Sequence, residues 1–357
     1  MPRLVLLALA LFPVFERTRI DAAEIVRFTD AGGIEKQVIG EVLVEAQNGG
    51  IMIQADDSRI WMIQPNEMIE RKKTDQALQP ATKEMVAERL LEELGEGFSI
   101  YPTQHYLIAY DCSEPYVQRV GALFEQLHRS FFTFWENQRW ELQEPEYPLA
   151  AVVLRNHDSF LRYAENDIGE TAQSVIGYYH LSSNRMTTFN VPNWERNVAT
   201  IIHEATHQLA YNTGMQTRFA DNPMWVSEGL ATFFESPDMR NPGRWRSIGR
   251  VNQVNLARWR RYVGSRPQES LATLLADDQR FRSASTASSA YAEGWALTYF
   301  LIRTRKDEYV KYLQELSTGK PLAERTRPER IEMFEEVMGE SLSSLDQAFL
   351  TYMRRVQ

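Results

Sequence analysis

Between Glu24 and about Lys72 the apolar residues come in short runs, partly alternating with polar ones: Ile25 to Phe28, Val38 to Ala46, Ile51 to Gln54 and Ile60 to Ile63. A period of two marks strands, and Gly32-Gly33, Asn48-Gly49-Gly50 and Asp56-Asp57-Ser58 supply the turns between them. This spacing predicts a small meander or barrel over residues 24–72, with Trp61 as a core residue. The period then changes. Met85, Leu90, Leu91 and Leu94 recur at helical spacing until Gly95 and Gly97 stop them, so residues 73–97 read as a linker and bridging helix. Tyr106 to Tyr110 and Ala150 to Leu154 are continuous apolar runs of the buried-strand kind. Between them Val117, Val120, Phe124, Leu127, Phe131 and Phe134 line one face of a long helix, giving a strand-helix-strand unit. Beyond Arg305 the apolar positions keep helical spacing to the end of the chain, and no internal repeat is present. The expected fold is α+β: a small N-terminal β-barrel-like module, a sheet-containing lobe over 98–215 and a mostly helical lobe over 216–357.

Arg3 precedes an uninterrupted apolar run from Leu4 to Phe15, and the small pair Ala22-Ala23 follows, which is the layout of a secretory signal peptide over residues 1–23. Glu16, Arg17, Arg19 and Asp21 place charge where a cleavage region is usually neutral. The run is far short of the roughly 20 residues that cross a bilayer. The expectation is therefore an exported chain, periplasmic or extracellular, with no transmembrane segment once processed. Composition changes this picture little: 357 residues with 43% hydrophobic and 24% charged content are ordinary for a globular protein with ample core. Charge excludes more. With Lys plus Arg at 39 against 48 for Asp plus Glu, the net charge of -9 argues against a nucleic-acid or anionic-membrane surface. The single Cys112 permits no internal disulfide and reads as a small buried apolar residue.

Candidate chemistry sits at His203-Glu204-Ala205-Thr206-His207, an H-E-x-x-H motif. Asn193 is a fair N-cap, Val198, Ile202, Ala205 and Leu209 form an apolar stripe, and Gly214 ends the pattern, so the motif lies in a helix. Positions i and i+4 stack on one helical face; both imidazoles can then reach a single ion while Glu204 projects beside it. A catalytic zinc has a third protein ligand and keeps its fourth position for water. Asp221-Asn222-Pro223 opens a second helix, and its Glu228 lies 21 residues after His207, an interval that suits a return helix carrying a carboxylate opposite the imidazoles. Such a third ligand leaves a Lewis acid strong enough to activate water. His105, His128, His157 and His180 lack any partner spacing and read as surface or satisfied core histidines. Glu235, seven residues after Glu228 on the same face, reads as a solvated helix end ahead of the alternative, a carboxylate that supports the metal ligands from behind. Trp225, Phe233, Phe234 and Trp295 read as core packing.

Ile201 to Leu209 together with Trp225 to Glu235 resemble the gluzincins, the zinc metallopeptidases that include thermolysin and the zinc aminopeptidases, and in particular uncharacterised secreted bacterial members of the peptidase MA-like group. The resemblance runs from about Phe98 to the helix after Tyr291 and leaves the N-terminal module outside the peptidase core. It implies a gluzincin-like core of mixed sheet plus active-site helix, with Zn2+ held by His203, His207 and Glu228. Glu204 is then the general base of peptide-bond hydrolysis, and Tyr291 a hydrogen-bond donor to the tetrahedral intermediate. Residues 184–190 resemble the edge strand along which a peptide substrate lies. There is one departure: thermolysin-like members carry an aspartate one turn after the glutamate ligand to orient a histidine, whereas this chain has Thr232, so that support must come from elsewhere. No glycine-rich G-x-M-E-N segment for amine recognition is visible, which ranks aminopeptidase below endopeptidase or specialised activity.

The expected partner is thus a peptide or protein substrate, with no nucleic acid. A rival reading is a non-catalytic, zinc-retaining scaffold whose N-terminal module docks to a cell-surface partner. Glu204 discriminates the two, because a scaffold needs no general base between its histidines. A structural zinc in an unrelated helical protein is disfavoured, since such sites are usually closed by Cys and His.

Overall fold

The computed structural model describes residues 22–236, 245 and 248–357. The apolar run Leu4 to Phe15 and the rest of the expected export signal up to Asp21 lie outside them, and Ala22 and Ala23 open the first strand. Five strands, β1 (Ala22–Thr29), β2 (Glu35–Glu45), β3 (Ile51–Ala55), β4 (Ile60–Ile63) and β5 (Met68–Ala77), form one sheet in the order β4-β3-β2-β1-β5. The expected barrel does not form. No ladder joins β4 to β5, so the sheet is open, and it runs five residues past the expected end at residue 72. Closure is blocked at both edges: β4 has only four residues and its Ile60 N–H donates to Ser182 O of the second sheet's hairpin, 2.7 Å away. The other edge, β5, is rich in Arg, Lys, Glu and Asp, a composition that discourages strand pairing. One face is a small core of Val26, Phe28, Val38, Ile51, Ile53 and Ile63. Trp61, expected inside the core, is only partly buried: it packs edge-on against Phe28 at 5.4 Å from the rim of that core.

The second sheet comprises β6 (Ser99–Pro102), β7 (Tyr106–Tyr110), β8 (Leu149–Leu154), β9 (Gly177–His180) and β10 (Arg185–Phe189) in the order β6-β7-β8-β10-β9. Its three central strands are parallel, and the outer two pair antiparallel. The expected strand-helix-strand unit is β7, α2 (Glu114–Asn137) and β8; α3 (His157–Ile168) makes the second crossover, to β10. Period two sorts the strand residues. Leu107, Ala109 and Ala150 face the bridging helix α1 (Lys83–Leu94), while Tyr106, Ile108 and Ala151 face α2 and the motif helix α4 (Trp194–Asn212). Covered on both faces, β8 is buried at every position, which is why it reads as an unbroken apolar run.

The remaining helices are α5 (Met224–Phe234), α6 (Gln253–Tyr262), α7 (Ser270–Ala276), α8 (Gln279–Arg282), α9 (Ala287–Thr304), α10 (Lys306–Ser317), α11 (Arg327–Met338) and α12 (Leu342–Met353). Helix α9 is their hub, buried on nearly all sides from Ala292 to Leu301. It meets α5 closely because Gly229 has no side chain: a Cβ there would collide with Thr298 Oγ1 and lie 2.9 Å from Gly294 O. That approach brings Glu228 and Tyr291 to the same side of the core. Among the described residues no helix is long and apolar enough to cross a membrane.

Candidate metal centre

Three elements build the site. Helix α4 starts where Asn193 Oδ1 accepts the Glu195 and Arg196 N–H groups, the cap expected from the sequence. Gln208, fully buried, locks α4 to the sheet by donating to Ala150 O at 2.8 Å and Asn184 O at 2.9 Å. Helix α5 begins at Met224, one residue later than the Pro223 start read from the sequence, and Asp278 rather than Asp221 caps it, accepting the Met224 N–H at 2.9 Å. Asp221 instead pairs with Arg330 of α11. Helix α9 contributes Tyr291.

His203, His207 and Glu228 converge as the motif predicts: each offers one ligand atom, and these atoms lie within 4.8 Å of one another. Glu228 Oε2 is 3.1 Å from His203 Nε2, and its Oε1 is 3.8 Å from His207 Nε2. An ion with bonds of about 2.0–2.1 Å in a tetrahedron holds its ligands roughly 3.3–3.4 Å apart, and the two observed separations bracket that value. Side-chain exposures of 12–15% leave the three ligands reachable from solvent rather than sealed. Among the described residues no fourth His, Cys, Asp or Glu joins the group. The arrangement matches a gluzincin-type zinc site and suits a divalent ion such as Zn2+.

The grouped residues also shift one another's protonation. Burial alone would push His203 down, but Glu228 and Glu235 at its two ring nitrogens outweigh burial and hold its pKa well above normal. Burial likewise works to raise Glu228, and the hydrogen bond from His203 with the charge of His207 keeps it lowered. His207 is pushed down to about 4, mainly by burial, so its lone pair is free of protons at neutral pH. Glu204 lies beside the group with Oε2 accepting the Tyr179 N–H at 2.8 Å. Burial pushes its carboxyl up to about 7. Tyr291 stands against Glu228; burial and the surrounding carboxylates hold its phenol far above the usual range, so it stays protonated and able to donate.

Two readings of the sequence need correction. Glu235 is no solvated helix end. Its Oε2 accepts from His203 Nδ1 at 2.8 Å and its Oε1 accepts from Asn252 Nδ2 at 3.1 Å, which fixes the His203 ring with Nε2 facing Glu228. Two helical turns beyond Glu228 it fills the role left open by Thr232, whose hydroxyl bonds only the main-chain oxygens of Glu228 and Gly229. Its spacing was the available signal. Replacing Glu235 by Ala is expected to weaken zinc binding by about 10- to 100-fold, read by chelator competition, while Thr232→Ala leaves the affinity unchanged. The second correction concerns residues 184–190. Arg185–Phe189 of this stretch form β10, an inner strand between β8 and β9, because the turn at Asn184, with φ of 57°, folds β9 back along their outer side. The free edge next to Glu204 belongs to β9. Tyr179 escaped the sequence reading because its contribution is a main-chain N–H, which carries no residue signature.

The first sheet braces this strand. Arg218 donates to Ser58 O and Gln54 Oε1 of the sheet and to Leu181 O just past β9. Asn184 Nδ2 bonds Ser58 Oγ at 2.8 Å, and the Tyr179 hydroxyl bonds Asn184 Oδ1 at 2.6 Å. The N-terminal module is thus wired to the strand that holds Glu204. Of the remaining histidines, His157 packs against the Phe189 ring and His180 bonds Ser183 Oγ, as ordinary surface histidines do. Burial pushes the Cys112 thiol up to about 12, in keeping with an unreactive residue.

Residues 197–323 match the family described as "Protein of unknown function (DUF1570)", a span that takes in His203, Glu204, His207, Glu228, Glu235 and Tyr291. No curated protein matches the chain.

Proposed function

We propose that the protein is an exported zinc metallopeptidase of the gluzincin type. The carrying observation is an incomplete ligand set, His203, His207 and Glu228, with the carboxylate of Glu204 beside it. A structural site would be closed by further ligands, whereas a catalytic one keeps a position open. A zinc ion held by these three residues supplies Lewis acidity for hydrolysis of an acyl-type bond. Glu204 takes the proton of the attacking water on its carboxylate and returns it to the leaving amine. Burial favours the protonated form of this carboxyl, which supports holding the proton until it is passed on, and the Tyr179 N–H holds the group in place. Tyr291 donates its hydroxyl hydrogen to the developing oxyanion, a contact typically worth about 3 kcal/mol. β9 ends its sheet beside Glu204, and the outward main-chain groups that Glu204 does not use would take an extended peptide by strand addition, which supports a peptide over other acyl substrates. The apolar run from Leu4 to Phe15 supports export.

Metal removal tests the reading. The full chain is assayed for bound zinc and for cleavage of a peptide library before chelation, after it, and after zinc is restored. Cleavage that disappears with the metal and returns with it is the expected result. Bound zinc with no cleavage under any condition would leave only the zinc-retaining scaffold.

A further inference from the structure

A second group of potential metal ligands lies away from the centre described above, where α2, the β6–β7 turn and the segment joining α2 to β8 meet. His105, in the turn, is held by Glu125 of α2: its main-chain N–H donates to Oε1 at 2.8 Å and its ring Nδ1 lies 2.7 Å from Oε2. Glu125 also accepts the Thr103 hydroxyl at 2.6 Å, so its position is set from three directions. A carboxylate accepting one ring N–H leaves a lone pair on the other ring nitrogen, which is the arrangement that prepares histidines for metals. His128, one turn along α2 from Glu125, is 4% exposed and stacks on His105 with ring centroids 3.7 Å apart and planes at 11°.

The His128 Nε2 atom is buried and has no hydrogen-bond partner. Leaving such an atom unsatisfied costs about 1–3 kcal/mol. Glu144 Oε2 is 3.5 Å away, too far for a good hydrogen bond. With its ring proton on Nδ1, His128 presents Nε2 as an acceptor beside the free ring nitrogen of His105 and the Glu144 carboxylate, and a cation would satisfy all three together. His105, His128 and Glu144 each offer an atom within 4.8 Å of the others. Space is present as well: His105 and Glu144 border a cavity of about 270 Å3.

We propose that His105, through the ring nitrogen Glu125 leaves free, His128 through Nε2, and the Glu144 carboxylate bind a divalent transition-metal ion of the zinc type, at a site separate from His203. Two nitrogens and one carboxylate form a donor set of zinc preference. Parallel rings aim their lone pairs side by side, so the ion draws the His105 ring out of the stack. That ring is 24% exposed, and the Glu144 side chain, 69% exposed, is free to swing inward. The consequence is mechanical. The Glu144 segment also clasps the end of the motif helix, where Gln143 N–H donates to Thr213 O, and the first sheet, where Gln54 donates to the Tyr147 hydroxyl. A bound ion pins this strap to α2.

The test is zinc stoichiometry on the chelator-stripped full chain, by equilibrium dialysis with metal analysis. Two equivalents are expected for the parent chain, one for His105→Asn, one for Glu144→Gln and one for His207→Ala, with circular dichroism confirming that each variant is folded. Glu144→Gln changes an exposed residue and keeps the experiment decisive if the histidine variant fails to fold. In His207→Ala, added zinc should also slow proteolysis within residues 138–148 by about tenfold. A single equivalent that disappears in His207→Ala, two equivalents retained in both His105→Asn and Glu144→Gln, or no zinc at all overturns the proposal. A single equivalent that survives His207→Ala but not Glu144→Gln upholds it and removes the peptidase reading instead.

Discussion

Glu204→Gln is expected to lower peptide cleavage by about 10^2- to 10^4-fold while bound zinc stays at the parent level. Glutamine keeps the size of the side chain and an oxygen for the Tyr179 N–H, yet cannot take up the proton that the attacking water must lose. Glu204 is not one of the three grouped ligands, so metal content and activity separate in this variant. Stability gives an independent check. The folded carboxyl has its pKa raised to about 7 by burial, so the folded state binds that proton more tightly than the unfolded one. The stability it contributes is present at acid pH and is lost as pH rises toward 7. An uncharged glutamine removes that loss, and the metal-free variant should melt no lower than the metal-free parent at pH 7 and above. Unchanged cleavage with zinc in place would be incompatible with Glu204 as the base.

Glu293→Ala should cost about 3–5 kcal/mol of folding stability, measured by denaturant unfolding. Glu293 of α9 is fully buried and receives Arg266 Nε at 2.7 Å, Arg280 Nη2 at 2.7 Å and the Ser270 hydroxyl at 2.7 Å. Arg266 continues to Asp346 of α12, so the network ties α9 to α7, α8 and α12. Truncation leaves Arg266 paired with Asp346 but takes away the carboxylate that pairs with Arg280, whose guanidinium has little access to water, and the penalty of an uncompensated buried charge far exceeds that of a lost surface ion pair. Tyr291 stands two residues away on the same helix, so activity should fall along with stability. A loss below about 1 kcal/mol, the range of ordinary substitutions, would show that the network relaxes or hydrates.

Much of the site was legible before the fold. The four-residue interval between His203 and His207 places them on one helical face whatever surrounds the helix, and the cap at Asn193 with the stripe through Leu209 makes that helix. The interval to Glu228 was sufficient because a helix, a loop and a return helix restrict where the carboxylate can go. The crossover from β7 through α2 to β8 was readable for the same reason, since period and length are local properties. Glu235 shows the limit. A carboxylate two turns from a ligand faces either water or a histidine depending on how α5 packs against α4, and no local preference separates the two. The same holds for β10, which has the look of an edge strand until β9 folds along its outer side. It holds too for the first sheet, whose strands and turns are written in alternation while its openness depends on what Ile60 bonds across the interface.

By itself, then, the chain determined the periods, the caps, the i and i+4 pair and the acidic third partner. These arise from interactions within a few residues, where backbone geometry alone sets which side chains are neighbours. Tertiary structure decided that Glu235 orients His203, that a main-chain N–H of β9 holds Glu204, and that His105 stacks on His128 across 23 residues of sequence. Those juxtapositions come from close packing of elements distant in the chain. Packing density fixes such contacts, and no single stretch of sequence contains them.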